Sequence, residues 1–216
     1  EFNLLIRRCD NYIVHGPYLK SSLIEKGIDS KDVIEFSWRY NLNRKSNISH
    51  KTTKNCEFLY IGRLVKGKGV LLLLEAARQL TLQGYDFTLH IAGYGQDEAE
   101  FKRFVFENSL GEFVKFYGKV NSKQKFELID SVDFVVVPTF SSFPEGRCMV
   151  LVESLIRNVP VICPDTEPFI TLINNDNGLI FNVDDVSSLI SKLSYSILNP
   201  SDRETLKNKI LESPEI

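Results

Sequence analysis

The sequence predicts an α/β fold, a doubly wound parallel sheet with helices on both faces. Three observations predict it. Strand-like apolar runs alternate with helix-like stretches joined by short links, the pattern of successive βαβ units. The run Asp133-Phe134-Val135-Val136-Val137-Pro138 is apolar at nearly every inner position rather than every second one, as in strands covered on both faces. The chain has 216 residues, 43% hydrophobic and 25% charged. That is an ordinary soluble composition, long enough for one large domain or for one domain and part of another.

Taken in order, residues 12–15 form a short strand and 17–26 a helix. Residues 41–55 are rich in Asn, Lys and Ser, lack any period, and read as a loop or linker. Strands are then expected at 57–61, 87–92, 113–117, 132–137, 159–163 and 178–181. Helices are expected at 69–82, 97–108, 122–130, 149–157, 185–198 and 202–211. Ligands of such sheets bind beyond the carboxyl ends of the strands.

Several classes are excluded at this stage. The net charge is −2, so no basic field argues for nucleic acid. Cys9, Cys56, Cys148 and Cys163 show neither a CxxC pair nor metal-ligand spacing, which fits a reduced, cytosolic setting. No apolar run approaches the roughly 18–20 residues that span a bilayer, and no signal peptide is visible. The chain opens on Glu1-Phe2 and its only methionine is Met149, so we expect a piece of a longer protein.

Three stretches carry candidate chemistry. In Gly62-Arg63-Leu64-Val65-Lys66-Gly67-Lys68-Gly69 a strand ends at Gly62, and Arg63 and Lys68 flank a Gly-rich turn that opens a helix. Two cations beside a helix N-terminus make an anion site, suited to a phosphate or diphosphate. A solvated basic turn is the alternative, and a Walker loop is absent. In His90-Ile91-Ala92-Gly93-Tyr94-Gly95 the pair Gly93 and Gly95 suggests close backbone approach, although the GxGxxG pattern fails at Glu98. It fits a tight strand-to-helix turn as well.

The third stretch, residues 143–155, carries Glu145 and Glu153 with seven residues between them in an otherwise mostly apolar run. Placed on one helix, they lie about 12 Å apart along the axis and about 80° apart in azimuth. That separation suits two polyols at either end of a diphosphate, with the free amides of Gly146, Arg147 and Cys148 facing the phosphates. A glycosidase pair would stand closer, at about 5–9.5 Å. A capping acid plus a locally satisfied core acid is the alternative. His15, His50 and His90 are scattered, His90 reading as a satisfied core or cleft residue. Asp184 and Asp185 read as helix caps.

In this order, the segments 62–69, 90–95, 116–120, 133–155, 159–165 and 177–185 resemble the nucleotide-binding half of a GT-B glycosyltransferase of the large retaining family 4. The resemblance covers about residues 57–198, and its most specific element is the Glu145/Glu153 pair. It implies a Rossmann-like domain over residues 41–216, with 1–40 as the end of an N-terminal acceptor domain and its linker. It implies roles too: Arg63 and Lys68 on the donor diphosphate, Glu145 on the transferred sugar, Glu153 on the ribose hydroxyls. Gly62, Gly93 and Gly95 would lie beside the nucleotide, and the amides of Gly146, Arg147, Cys148 and Met149 beside the phosphates. No metal or other cofactor is implied.

The sequence departs from the family at Gly146-Arg147-Cys148, where a Phe-Gly pair is usual. It departs again at Asp165-Thr166-Glu167-Pro168, where a Gly-Gly…Glu turn is common, and it lacks the usual "PNG" near residues 37–41. The activity implied is retaining transfer of a hexose or N-acetylhexosamine from a nucleotide-diphosphate sugar, UDP favoured over GDP. The acceptor would be a lipid-linked saccharide of bacterial surface-polysaccharide synthesis. The protein would be cytoplasmic, with peripheral association at the inner face of the membrane, and this piece alone would bind donor without turnover. A nucleotide-sugar epimerase of the same fold and a binding-only module are the rival readings.

Overall fold

The computed structural model describes residues 9–36, 55–143, 145–146 and 148–212. The expected linker and the expected "PNG" position therefore lie outside the described residues, apart from Asn55. Two sheets form. The smaller pairs β1 (Tyr12–His15) with β2 (Val33–Phe36) in parallel, Tyr12 opposite Val33 and His15 opposite Phe36, with α1 (Pro17–Glu25) between them in sequence. Both β1 and α1 lie where the sequence predicts them, whereas β2, a four-residue strand with one buried residue, Val33, has no sequence signal.

The larger sheet contains β3 (Cys56–Ile61), β4 (Phe87–Ala92), β5 (Val114–Gly118), β6 (Phe134–Val136), β7 (Val161–Pro164) and β8 (Gly178–Phe181). All neighbours are parallel, in the order β5-β4-β3-β6-β7-β8. The helices are α2 (Val70–Leu82), α3 (Glu98–Glu107), α4 (Ser122–Asp130), α5 (Met149–Ile156), α6 (Val186–Leu198) and α7 (Pro200–Glu212). The predicted doubly wound parallel sheet is what forms, with boundaries shifted by a few residues at most.

The sheet grows from β3 in both directions. Parallel crossovers keep one hand, so reversing the direction of growth sends the connecting helices to opposite faces. Accordingly, α2, α3 and α6 bury Leu73, Leu74, Phe101, Val105, Leu189 and Leu193 in a cluster with Phe58, Leu89 and Phe134. On the other face α4 and α5 bury Ile129, Leu151 and Leu155 with Leu59, Val135 and Val161. The core strands are buried on both sides, which explains the unbroken apolar runs of β6 and β7. Both β4 and β7 are buried at every position.

Local sequence sets several helix starts. A capping box opens α4: the Asn121 side chain accepts from the Gln124 amide at 3.0 Å, and the Gln124 side chain accepts from the Asn121 amide at 2.9 Å. The Asp185 carboxylate caps α6 on the amides of Ser187 and Ser188 at 2.8 and 3.0 Å. Pro200, with no amide hydrogen to leave unpaired, begins α7. Beneath the sheet, α7 is held by charge. Arg203 and Lys207 donate to the buried Asp133 carboxylate at 2.8 and 3.4 Å, and Asp133 also accepts the Glu57 amide at 2.9 Å.

Candidate functional site

The chain reverses its direction of sheet growth between β3 and β6. The loops that follow these two strands diverge to opposite faces and leave a crevice at the carboxyl edge of the sheet. The loop after β3 is sewn to the loop after β4. Leu64 donates to the Tyr94 carbonyl at 2.9 Å, Asp97 to the Leu64 carbonyl at 3.1 Å, and the Lys66 amide to the Asp97 carboxylate at 2.7 Å. Gly93 has a φ of 143°, and a Cβ there would stand 1.8 Å from the Gly62 carbonyl oxygen. A Cβ on Gly95 would stand 2.2 Å from that of Leu64. The backbone that approaches these glycines is therefore the neighbouring loop carrying Gly62 and Arg63.

The loop after β6 closes on the same place. The Phe140 amide donates to the Gly67 carbonyl at 3.1 Å. The Phe143 ring lies over Gly67, with the Arg63 guanidinium carbon 5.4 Å and Lys68 Nζ 5.0 Å from the ring centroid, both in cation–π range. Ser141 fastens this loop from behind, its amide and hydroxyl donating to Asp184 at 3.0 and 2.5 Å. Asp184 is thus a loop clamp, and of the two expected caps only Asp185 caps its helix.

Lys68 pairs with Glu145 across 77 residues of sequence, and their side chains are 13% and 14% exposed. Arg63, Lys68 and Glu145 therefore converge where the sequence reading placed them together. Beside them is a cavity of about 230 Å³ lined by Tyr18, Phe140, Phe143, Glu145, Thr166 and Glu167. Aromatic rings beside carboxylates suit a hydroxyl-rich ligand, since the rings take its C–H faces and the carboxylates accept from its hydroxyls. Tyr18 carries no motif of its own, and Phe143 and Thr166 fall in noted stretches that assign neither a role. Their part in the site comes from their neighbours in space, although Thr166 and Glu167 fall in the turn that departs from the family pattern.

The helix α5 begins at Met149, where the sequence places it, with Cys148 as its N-cap, and Glu145 lies in the preceding loop. One expectation, the spacing of the two acids, is corrected. The 12 Å helical separation therefore does not describe the pair. The positive end of the helix dipole therefore lies at Cys148–Met149, three residues beyond Glu145. Gly146 is described in the loop, where a Cβ would sit 3.5 Å from Leu19 of α1. Arg147 lies outside the described residues. The Cys148 thiol is buried, and that burial, with Glu145 adding a smaller effect, pushes it up to about 12.

Glu153 is half-buried among the buried Leu151, Val152, Ser154 and Leu155, and its carboxylate is met by Lys125 of α4. Its place in an apolar run follows from helical geometry: α5 buries its other faces and leaves this one at the edge. Outside the crevice, His90 hydrogen bonds Glu57 at 2.5 Å and Tyr117 at 2.7 Å, the satisfied histidine that the sequence suggested. Among the described residues no three His, Cys, Asp or Glu side chains group as a metal site, and no helix is long and apolar enough to cross a membrane.

The parallel six-stranded sheet, with its crevice at the reversal point, defines the class: this is the fold of one half of a GT-B glycosyltransferase. The chain belongs to the family "Glycosyl transferases group 1", whose sequence profile matches residues 43–212. Its relatives act in bacterial polysaccharide biosynthesis. The chain is 30% identical over 177 residues to a Campylobacter jejuni protein, N-acetylgalactosamine-N,N'-diacetylbacillosaminyl-diphospho-undecaprenol 4-alpha-N-acetylgalactosaminyltransferase, covering 79% of this chain and 46% of that one. In fold it matches S. aureus TarM, solved with fondaparinux, alpha-GlcNAc-glycerol and UDP. The TM-score is 0.82 at 17% identity, over 96% of this chain and 41% of that one. HepE of Anabaena, solved with UDP and glucose, matches with a TM-score of 0.79 at 20% identity, over 97% and 59%. The chain spans about half the length of the relatives it matches.

Proposed function

We propose that the chain is the donor-binding part of a retaining glycosyltransferase, moving a hexose or N-acetylhexosamine from a UDP-sugar to a lipid-linked saccharide. The observation that carries this is the convergence of Arg63, Lys68 and Glu145 at the crevice, two cations and one acid drawn from the loops after β3 and β6. The donor diphosphate takes Arg63 and Lys68, replacing Glu145 as the partner of Lys68. Departure of the diphosphate builds negative charge on its oxygens, and preorganised cations lower that barrier without solvent reorganisation. The amides at the start of α5 add their partial positive charge. Glu145, released from Lys68, accepts hydroxyls of the transferred sugar, and Glu153 accepts those of the ribose. With two cations already on the diphosphate, this reading takes no metal.

Residues 12–36 form their own small sheet, which supports assigning residues 1–40 to a preceding acceptor domain and its linker, and 41–216 to the donor domain. The relatives support the substrates: UDP accompanies two structures of this fold, and the Campylobacter relative is named for an α-linkage and a diphospho-undecaprenol acceptor. A lipid-linked acceptor would bring the longer protein to the cytoplasmic face of the membrane. A thermal-shift panel tests the donor. UDP and a UDP-sugar should raise the melting temperature, with EDTA present or absent, and GDP and ADP should do so less, because stabilisation follows occupancy of the native state. No shift with any nucleotide would overturn the reading.

A further inference from the structure

We propose that Lys125 is a positioning residue for ribose recognition, presenting Glu153 to the nucleotide's vicinal diol and supplying a donor beside it. This rests on Glu153 as the ribose acid. Lys125 Nζ donates to Glu153 Oε1, while among the described residues Oε2 of Glu153 accepts no hydrogen bond. The two side chains are 24% and 20% exposed, enough covered for one rotamer pair to persist and enough open for a ligand to reach them. A carboxylate only accepts and an ammonium only donates. Together they match a vicinal diol, whose hydroxyls each donate and accept. One hydroxyl gives its proton to Oε2 and accepts from Lys125, which has two further N–H bonds to offer.

The pair is not needed to hold the helices together. One turn on, Arg157, the C-cap of α5, grips Asp130 of α4 through two nitrogens, Nε at 2.6 Å. The Phe126 ring sits between the two pairs, with Lys125 Nζ 5.1 Å and the Arg157 guanidinium carbon 5.6 Å from its centroid. The Asp130–Arg157 fork fixes α4 against α5, which leaves the Lys125–Glu153 pair to fix a side chain. That division separates positioning from stability and makes the two roles distinguishable.

The experiment compares binding of UDP and of 2′,3′-dideoxyuridine diphosphate to the chain and its variants. Wild type should prefer UDP by roughly tenfold or more, the range of hydrogen bonds to charged groups. Lys125→Met should collapse that preference toward the value of Glu153→Gln, and Lys125→Arg should restore most of it. Arg157→Ala should lower the melting temperature and leave the preference intact. A Lys125→Met variant that binds UDP and still discriminates as wild type does would overturn the proposal alone. Absence of nucleoside diphosphate binding by wild type would overturn the donor reading and this proposal with it.

Discussion

A side chain at position 67 would collide with Phe143: a Cβ on Gly67 would lie 2.2 Å from Cδ2 of that ring. The contact joins the loop after β3 to the loop after β6, and both candidate cations lie against the same ring. Gly67→Ala should therefore force the ring off its seat and destabilise by about 1–3 kcal/mol, the usual cost of overpacking. Phe143→Ala should remove most of that penalty, so that the double variant unfolds in urea at a higher midpoint than the sum of the singles requires. Strict additivity would show that the contact is not coupled.

Lys68 and Glu145 should separate binding from transfer. Lys68→Met removes a cation from the diphosphate and should weaken UDP binding by roughly ten- to a hundredfold, the effect of losing one charge-assisted contact. Glu145→Gln frees Lys68 from its ion pair and should leave UDP binding near wild type, while a longer chain carrying the acceptor domain loses transfer. Calorimetric titration with UDP checks the first half. Equal losses of UDP affinity in both variants would contradict the assignment.

Asp133 is the counter-ion of two buried cations. Arg203, Lys207 and Asp133 have side chains only 6%, 5% and 6% exposed. Asp133→Asn leaves Arg203 without its carboxylate and Lys207 with only the half-exposed Glu204 at 3.9 Å, and should cost about 3–5 kcal/mol, the range for breaking a buried pair from one side. Denaturant unfolding measures it. Adding Lys207→Met should recover part of the loss, because one of the stranded charges is then gone.

Stability should fall in alkali. Burial raises the thiols of Cys56 and Cys163 well above the usual cysteine range and pushes Cys148 up to about 12 from an ordinary 9.0. In the unfolded chain these thiols lose their protons near 9, while in the native state they keep them. The native state then binds more protons, so this contribution is fully present below pH 9 and declines as pH rises from 9 toward 12. The urea midpoint should be lower at pH 10.5 than at pH 8, and Cys148→Ala should reduce that difference. An identical pH response in the variant would remove Cys148 from the account.

The strands β6 and β7 were legible because burial on both faces leaves an unbroken apolar run. The cap Asp185 was legible because a short polar side chain before an apolar period has a local function. The start of α5 was legible too: the helix expected over 149–157 begins at Met149. The partner of Glu145 was not, because Lys68 lies 77 residues away in sequence. The strand β2 was missed because four residues with one buried side chain give no period to detect.

Fold class, the succession of strands and helices along the chain, and the candidate cations and acids follow from residue type and local period, which act over a few residues. What brings Arg63 and Lys68 to Glu145, Phe143 to Gly67 and Lys125 to Glu153 is the reversal of the sheet between β3 and β6. Those partners lie 28 or more residues apart and meet only after the strands are laid side by side. Two loops must diverge there and two helices, α4 and α5, must share a face. The crevice is a property of sheet topology, and no single segment contains it.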